Sequence, residues 1–483
     1  MSQENHPNNS RAQKADIAWK VLMADNAQRW APYLGTLDIH LENGEIENGE
    51  LDVNSLTVSL KSPEEFLRLP ETIDYVFSGY GEKNTFETHA VPLIEIVLKQ
   101  NCNLVYLTDN QYYADLFYIR KRFQNEIKSG QITLYNPFAL EYINKNLKIE
   151  IPIIEKAKEN WIEFHELLKP FRIRARRGAY NIFLQLEVAN QSLKNTEKQL
   201  FPAKLITFSN WRPAHILPMI SNFKLEGRSA SFQTSVVTSI STFFPIFSDH
   251  YYCFGNISKN RHKIEYQDNE ILKNLISNIE IPNPSFGVHS LGTINPDNIR
   301  INNFDSKTIL LLDQSSYWAD GHYGLGYKIH RLKGILTDLG DSLQKIGANL
   351  IIRPHPIGKN SWAEFKIEGV PIMISNSDID ISQSIRMASF TIGFFSKSLI
   401  ESASFGIPPI FFNQDGGFTP GEFHDFNDLI CNENELRIRI IQYLTDVDKY
   451  QIDSKKAALL ADDYLTPSVN NAEEIVQNLE LSR

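Results

Sequence analysis

Apolar positions in this chain fall in short runs separated by helical spacing, not in residue-by-residue alternation. From residue 73, IDYVFSGYG is an apolar run ending in two glycines. NTFETHAVPLIEIVLKQN follows with helical spacing that Pro92 interrupts early, and NLVYLTDN is a second strand-like run. Strand, glycine turn, helix and strand make a βαβ unit. The stretch 153–200 reads as long helices broken near Pro170 and Gly178. AKLITFSNWRPAHILPMISNF returns to strand, turn and helix, and SASFQTSVV and SDHYYCFGN read as further strands. In the second half KTILLLDQ, ANLIIRPHP, VPIMISN, FTIGFF and IPPIFFN are strands. IHRLKGILTDLGDSLQKIG reads as one amphipathic helix with a Gly stop, and SKSLIESASFG as a helix ending on Gly406.

Between these blocks, residues 281–306 are rich in Pro, Gly and Asn and lack an apolar period, which marks a boundary. Strands alternating with helices imply parallel sheets with right-handed crossovers. The expected fold class is α/β: two Rossmann-like domains with parallel sheets facing a cleft. The expected divisions are an N-terminal extension at 1–70, partly disordered, and a Rossmann-like domain at 71–290. A second such domain covers 306–432, and charged C-terminal helices cover 433–483.

With 483 residues the chain is too long for one ordinary domain. Lys and Arg number 48 against 58 Asp and Glu, a net charge of −10, which argues against nucleic acid as partner. Cys102, Cys253 and Cys431 form no metal spacing and sit in or beside apolar runs, so buried free thiols are expected. MSQENHPNNSRAQK has no apolar core of a signal peptide. The longest uncharged run, Ser229–Ser248, is rich in Ser and Thr and interrupted by Pro245, so no transmembrane helix is expected. A cytoplasmic protein follows. The cluster Arg172, Arg174, Arg176 and Arg177 reads first as a solvated helix face, and otherwise as a peripheral contact with the inner face of a membrane.

In open parallel sheets ligands bind beyond the carboxyl ends of the strands. Arg353-Pro354-His355-Pro356 follows the strand NLII, and its prolines hold His355 outward, where an imidazole can bind phosphate or transfer protons. Ser396, Lys397 and Ser398 open the next candidate helix with a cap, a charge and hydroxyls, a combination suited to an anion. Glu401 lies one turn further, suited to a sugar or ribose hydroxyl or, with Ser398, to a capping box. In the first half Gly79-Tyr80-Gly81 is an incomplete dinucleotide motif. His89 lies on the following helix; Ser209-Asn210-Trp211-Arg212 and Gln233-Thr234-Ser235 end strands and could line an acceptor side. There is no P-loop, no HExxH and no GxSxG, and no metal site is expected.

LIIRPHP, followed by FTIGFFSKSLIESASFGIPPIFF, resembles the donor-binding half of GT-B glycosyltransferases of bacterial surface polysaccharide synthesis. The similarity is to CDP-glycerol glycerophosphotransferases and capsule transferases, and over the same stretch to sugar-nucleotide 2-epimerases. It covers 307–430, and more weakly 200–260, where Gln233-Thr234-Ser235 stands in place of the family's Gln-His-Gly. The resemblance implies a glycosyltransferase moving a sugar or polyol phosphate from a nucleotide-activated donor to a glycan or lipid-linked acceptor. Cofactor and metal would be dispensable. His355, Ser396 and Ser398 would hold the donor phosphates, Arg353 and Lys397 would neutralise charge, and Glu401 would take the ribose or sugar. The acceptor side would include Arg212 and Gln233. A general base would come from the first domain, with His89, Glu82, His215 and Asp109 as candidates and His89 and His355 as the catalytic choice. The alternatives are a 2-epimerase, or a non-catalytic GT-B-like module that binds glycan or scaffolds an assembly. Oligomeric state is not legible.

Overall fold

The structure, a computed structural model, describes residues 69–78, 86–107, 113–135, 155–156, 159, 162, 193, 196–208, 213–233, 248–268, 284–291, 300–313, 325–354, 362–375, 380–413, 421–465 and 471–481. The expectations for 1–68, for Gly79-Tyr80-Gly81, Glu82 and Asp109, for nearly all of the 153–200 stretch with its arginine cluster, for Arg212, Thr234 and Ser235, for His355 and for the side chain of His215 lie outside the described residues.

Seven strands form the first sheet: β1 (Tyr75–Ser78), β2 (Leu104–Leu107), β3 (Ile132–Tyr135), β4 (Lys204–Thr207), β5 (Ser229–Phe232), β6 (His250–Cys253) and β7 (Ser285–Val288). Their order is β3-β2-β1-β4-β5-β6-β7, and every neighbouring pair is parallel. The described helices between them are α1 (Val91–Lys99), α2 (Tyr113–Arg122), α3 (Gln124–Ser129), α4 (Glu197–Leu200), α5 (Pro213–Lys224) and α6 (Asn256–Asp268). Strands covered by helices on both faces need apolar side chains throughout. Accordingly all four residues of β1 and of β2 are buried.

The second sheet holds β8 (Thr308–Leu312), β9 (Asn349–Arg353), β10 (Ile372–Ile374), β11 (Phe390–Gly393), β12 (Pro409–Phe412) and β13 (Ile430–Cys431). Its order is β10-β9-β8-β11-β12-β13, again parallel throughout. With it come α7 (Leu325–Asp338), α8 (Gly340–Ile346), α9 (Ile381–Arg386), α10 (Lys397–Ser404), α11 (Glu433–Thr445), α12 (Val447–Tyr464) and α13 (Ala472–Leu481). Both sheets have the doubly wound order of a Rossmann-like domain, as the strand–helix alternation predicts.

Four details depart from the sequence reading. The stretch 281–306, read as a boundary without a strand, contains β7. Its Gly287 lets the Tyr252 ring pack directly on the backbone, where a Cβ would lie 2.6 Å from Tyr252 Cδ1, so no apolar period marks the strand. The single helix expected over 329–347 is two, α7 and α8, divided at Leu339. Gly340 there passes under Ile367, and a Cβ would lie 2.9 Å from Ile367 Cγ2. Cys253 and Cys431 are buried free thiols as expected, whereas Cys102 is only half-buried. Helix α13, grouped by sequence with the other C-terminal helices, packs on α1, and Ala472, Ile475, Val476 and Leu479 join the first sheet's core.

The two sheets are joined where α6 packs on α12. Phe254, just after β6, is fully buried in a cluster with Leu310, Leu399, Ala457 and Tyr464 of the second half. Gly255 follows it, and a Cβ there would lie 2.4 Å from the Tyr464 carbonyl. Arg261 Nη2 donates to Asp425 Oδ2 at 2.7 Å across the same seam. Among the described residues no helix is long and apolar enough to cross a membrane.

Candidate functional site

In the second sheet the chain runs outward from β8 to β10 on one side and from β11 to β13 on the other. β8 and β11 are therefore the switch point, where the crossovers diverge and leave a crevice at the carboxyl ends. Gly393, last in β11, is paired with Leu312 of β8. A Cβ on Gly393 would stand 3.0 Å from the Leu312 carbonyl, so glycine permits this close approach. Beyond the pair the chain turns through Phe394 and Phe395 into α10.

Ser396 caps α10, with extended backbone, and its Oγ accepts from the Ser398 amide at 3.3 Å. The Ser398–Glu401 capping box, the plainer of the two sequence readings, does not form, because the helix begins two residues earlier. Glu401 instead takes Lys397 as partner, Nζ to Oε1 at 3.0 Å. Glu401 is 5% exposed, and its pairing with the partly buried ammonium offsets the cost of burying a charge. The ammonium also lies 4.4 Å from the centre of the Phe254 ring, a cation–π contact across the seam. Ser396, Lys397 and Ser398 remain half-buried at the positive end of the helix.

Arg353 ends β9, and its Nη1 donates to Ser384 Oγ at 3.3 Å. Burial holds its guanidinium below the usual arginine range, with Asp380 opposing. Asp313, the residue after β8, lies beside Arg353 and was passed over by sequence reasoning. Its amide donates to the Arg353 carbonyl at 3.0 Å. Its Oδ2 accepts from the buried Trp362 Nε1 at 2.8 Å. Lys333 lies over the Trp362 ring at 4.8 Å; burial lowers its pKa, and Asp313 opposes that shift. The rule that singled out Arg353, a polar residue closing an apolar strand, applies equally to TILLLD.

The first sheet presents its own carboxyl ends to Lys397. His89 lies on a π-helical turn, Phe86–Ala90, ahead of Pro92, and is 3% exposed. Its Nδ1 is 2.9 Å from Thr88 Oγ1, and its ring centre is 5.7 Å from that of His289. His289, after β7, is fully buried and was not singled out from sequence. Its ring centre is 4.9 Å from that of Phe254. Burial, the largest cause, lowers its pKa to about 3; the Gln233 carbonyl opposes this, Lys397 adds to it, and the Leu291 carbonyl opposes it again. Gln233, after β5, is 1% exposed, and its Oε1 accepts from the Phe254 amide at 3.1 Å. The structure thus gathers Lys397, Glu401, Gln233 and His89 about Phe254 and His289, with Arg353 and Asp313 on the far side of the switch point. Among the described residues no group of three or more His, Cys, Asp or Glu could hold a metal ion.

No protein-family model matches the chain, and no curated protein matches it in sequence. Solved structures similar to it include the UDP-GlcNAc 2-epimerase of Neisseria meningitidis bound to UDP-GlcNAc, with 11% identity and a TM-score of 0.47 over 85% of this chain and all of that one. The UDP-GlcNAc 2-epimerase of Methanocaldococcus jannaschii gives 11% and 0.48 over 85% and 100%. MurG of Acinetobacter baumannii gives 12% and 0.43 over 85% and 100%.

Proposed function

We propose that the protein is a GT-B-type transferase that moves a sugar or polyol phosphate from a nucleotide-activated donor to a glycan or lipid-linked acceptor. One observation carries the reading. The capped start of α10, with its serine hydroxyls and Lys397 at the positive end of the helix dipole, stands at the switch point of a doubly wound sheet. That is where such sheets bind phosphorylated ligands, because amides and helix dipole both favour negative charge. Ser396 and Ser398 hold the diphosphate, and Lys397 and Arg353 offset the charge that develops on the departing nucleotide. His355, two positions after Arg353 in the chain, adds a phosphate ligand. Glu401 fixes Lys397 and offers its second oxygen to a ribose or sugar hydroxyl. The first sheet, with Arg212 and Gln233, faces the acceptor. The reaction belongs to the cytoplasm, with Arg172–Arg177 as a peripheral contact for anionic lipid.

Thermal unfolding with CMP, CDP, UDP, GDP and their sugar or glycerol conjugates tests this. A nucleotide at 100 times its Kd stabilises by about 2.7 kcal/mol, which raises Tm by about 5–10 °C for a domain of this size. Lys397→Ala is expected to weaken that nucleotide by about 10–100-fold, as loss of a charged hydrogen bond does. No shift with any nucleotide, or an unweakened Lys397→Ala protein, refutes the assignment. Conversion of the donor without acceptor marks an epimerase instead.

A further inference from the structure

Gln233, Phe254 and His289 form one closed unit at the carboxyl ends of β5, β6 and β7. The Gln233 amide donates to the Tyr252 carbonyl at 2.9 Å, and the His289 amide to the Cys253 carbonyl at 2.7 Å. Two side-chain bonds then fix chemical roles. Phe254 N–H can only donate, so the Gln233 atom facing it at 3.1 Å is the carbonyl oxygen, and Nε2 is left as a donor. The Gln233 backbone carbonyl can only accept, so His289 Nε2, 3.0 Å away, carries the ring proton, and Nδ1 is left as an acceptor. Gln233 Nε2 and His289 Nδ1 are both buried without a hydrogen-bond partner. The Leu291 carbonyl near the ring is itself an acceptor and cannot serve a neutral Nδ1. A buried donor and a buried acceptor left unsatisfied each carry the full desolvation penalty of the group. Natural cores rarely retain such a pair without a guest.

A guest that accepts one hydrogen bond and donates another is a hydroxyl group. We infer that Gln233 and His289 form a subsite for a hydroxyl of the transferred group or the acceptor, Gln233 Nε2 donating to its oxygen and His289 Nδ1 receiving its proton as a hydrogen bond. The inference rests on the transferase reading and adds to it the chemistry of the first sheet's side. Lys397, 4.4 Å from the Phe254 ring, adjoins both this unit and the α10 amides. Lys397 thus links the phosphate side at α10 to the hydroxyl side at His289. Because the ring is held neutral by burial, it accepts without first losing a proton across the whole neutral range.

The test compares bare UDP and CDP with UDP-GlcNAc and CDP-glycerol by calorimetric titration. The wild type is expected to bind one conjugate at least tenfold more tightly than its bare nucleotide. His289→Gln keeps a donor for the Gln233 carbonyl and loses the Nδ1 lone pair. Gln233→Glu keeps the acceptor for Phe254 N–H and loses the Nε2 donor. Each is expected to cut the conjugate-to-nucleotide affinity ratio about tenfold; an unchanged ratio in both overturns the inference. A second measurement needs no nucleotide and no variant. The ¹⁵N resonance of His289 Nδ1 in the wild type is followed with saturating glycerol or N-acetylglucosamine. Its movement supports the subsite even where no nucleotide binds and the transferase reading fails. A resonance unmoved by every hydroxyl compound means a resident water only, and overturns it.

Discussion

Asp453→Ala is expected to lower the unfolding free energy of the second half by about 3–5 kcal/mol, the usual cost of removing one partner from a buried charge network. Asp453 sits on α12 at 3% exposure. Its Oδ2 accepts from Arg439 Nη1 at 2.8 Å and from Tyr443 OH at 2.7 Å, and its Oδ1 from Lys449 Nζ at 2.9 Å. Arg439 and Tyr443 lie on α11, so this carboxylate fastens α11 to α12. Alanine leaves the buried Tyr443 hydroxyl without its acceptor and the Arg439 guanidinium, which keeps the Asp428 carbonyl at 3.1 Å, without its counter-charge. Urea unfolding followed by far-UV circular dichroism should show the later or earlier of two transitions moving alone. A loss under 1 kcal/mol would mean that water replaces the carboxylate and that the helix pair is held by packing.

Acidification should weaken the first half. Burial lowers the pKa of His262 to about 4 and, with the nearby Lys397, that of His289 to about 3, against about 6.5 for an unfolded histidine. Between the folded and unfolded values the unfolded chain binds more protons, so stability falls as pH falls through that window. It is fully present above pH 6.5. From pH 7 to pH 5 the two rings together cost about 3–4 kcal/mol. His250, lowered mainly by burial, acts in the same direction. Urea midpoints at pH 5, 6 and 7 measure the slope, and His289→Gln should remove about one proton from it. A slope unchanged by that substitution would mean that His289 is already protonated in the fold.

Much of the second sheet is legible because its physics is local. Strands buried on both faces spell continuous apolar runs, a serine stops the run where α10 begins, and Gly406, at a φ of 79°, ends it. The site's charge pairing was not legible. Ser398 and Glu401 satisfy the spacing of a capping box, yet the cap falls on Ser396, and Glu401 is drawn to Lys397 one turn away. His289 was hidden for a different reason. It closes a four-residue strand whose glycine is fixed by the Tyr252 ring, and a long-range contact of that kind erases the local pattern. Asp313 was readable and was missed, since it ends a strand as Arg353 does. His89, read on the helix after the glycine turn, has its ring packed against those of Phe208, Phe254 and His289, long-range contacts that no local pattern displays.

The docking of α13 on α1 also sets an order of events at the ribosome. The first sheet's final strand ends at Val288, but Ala472, the start of the helix that completes its core, is added 184 residues later. At about 5–20 residues per second, nascent sheet and helix are separated by roughly 10–40 s. Through that interval Leu93, Ile94 and Val97 of α1 lack the covering that Ile475 and Leu479 supply. The half of the molecule made first is therefore finished last.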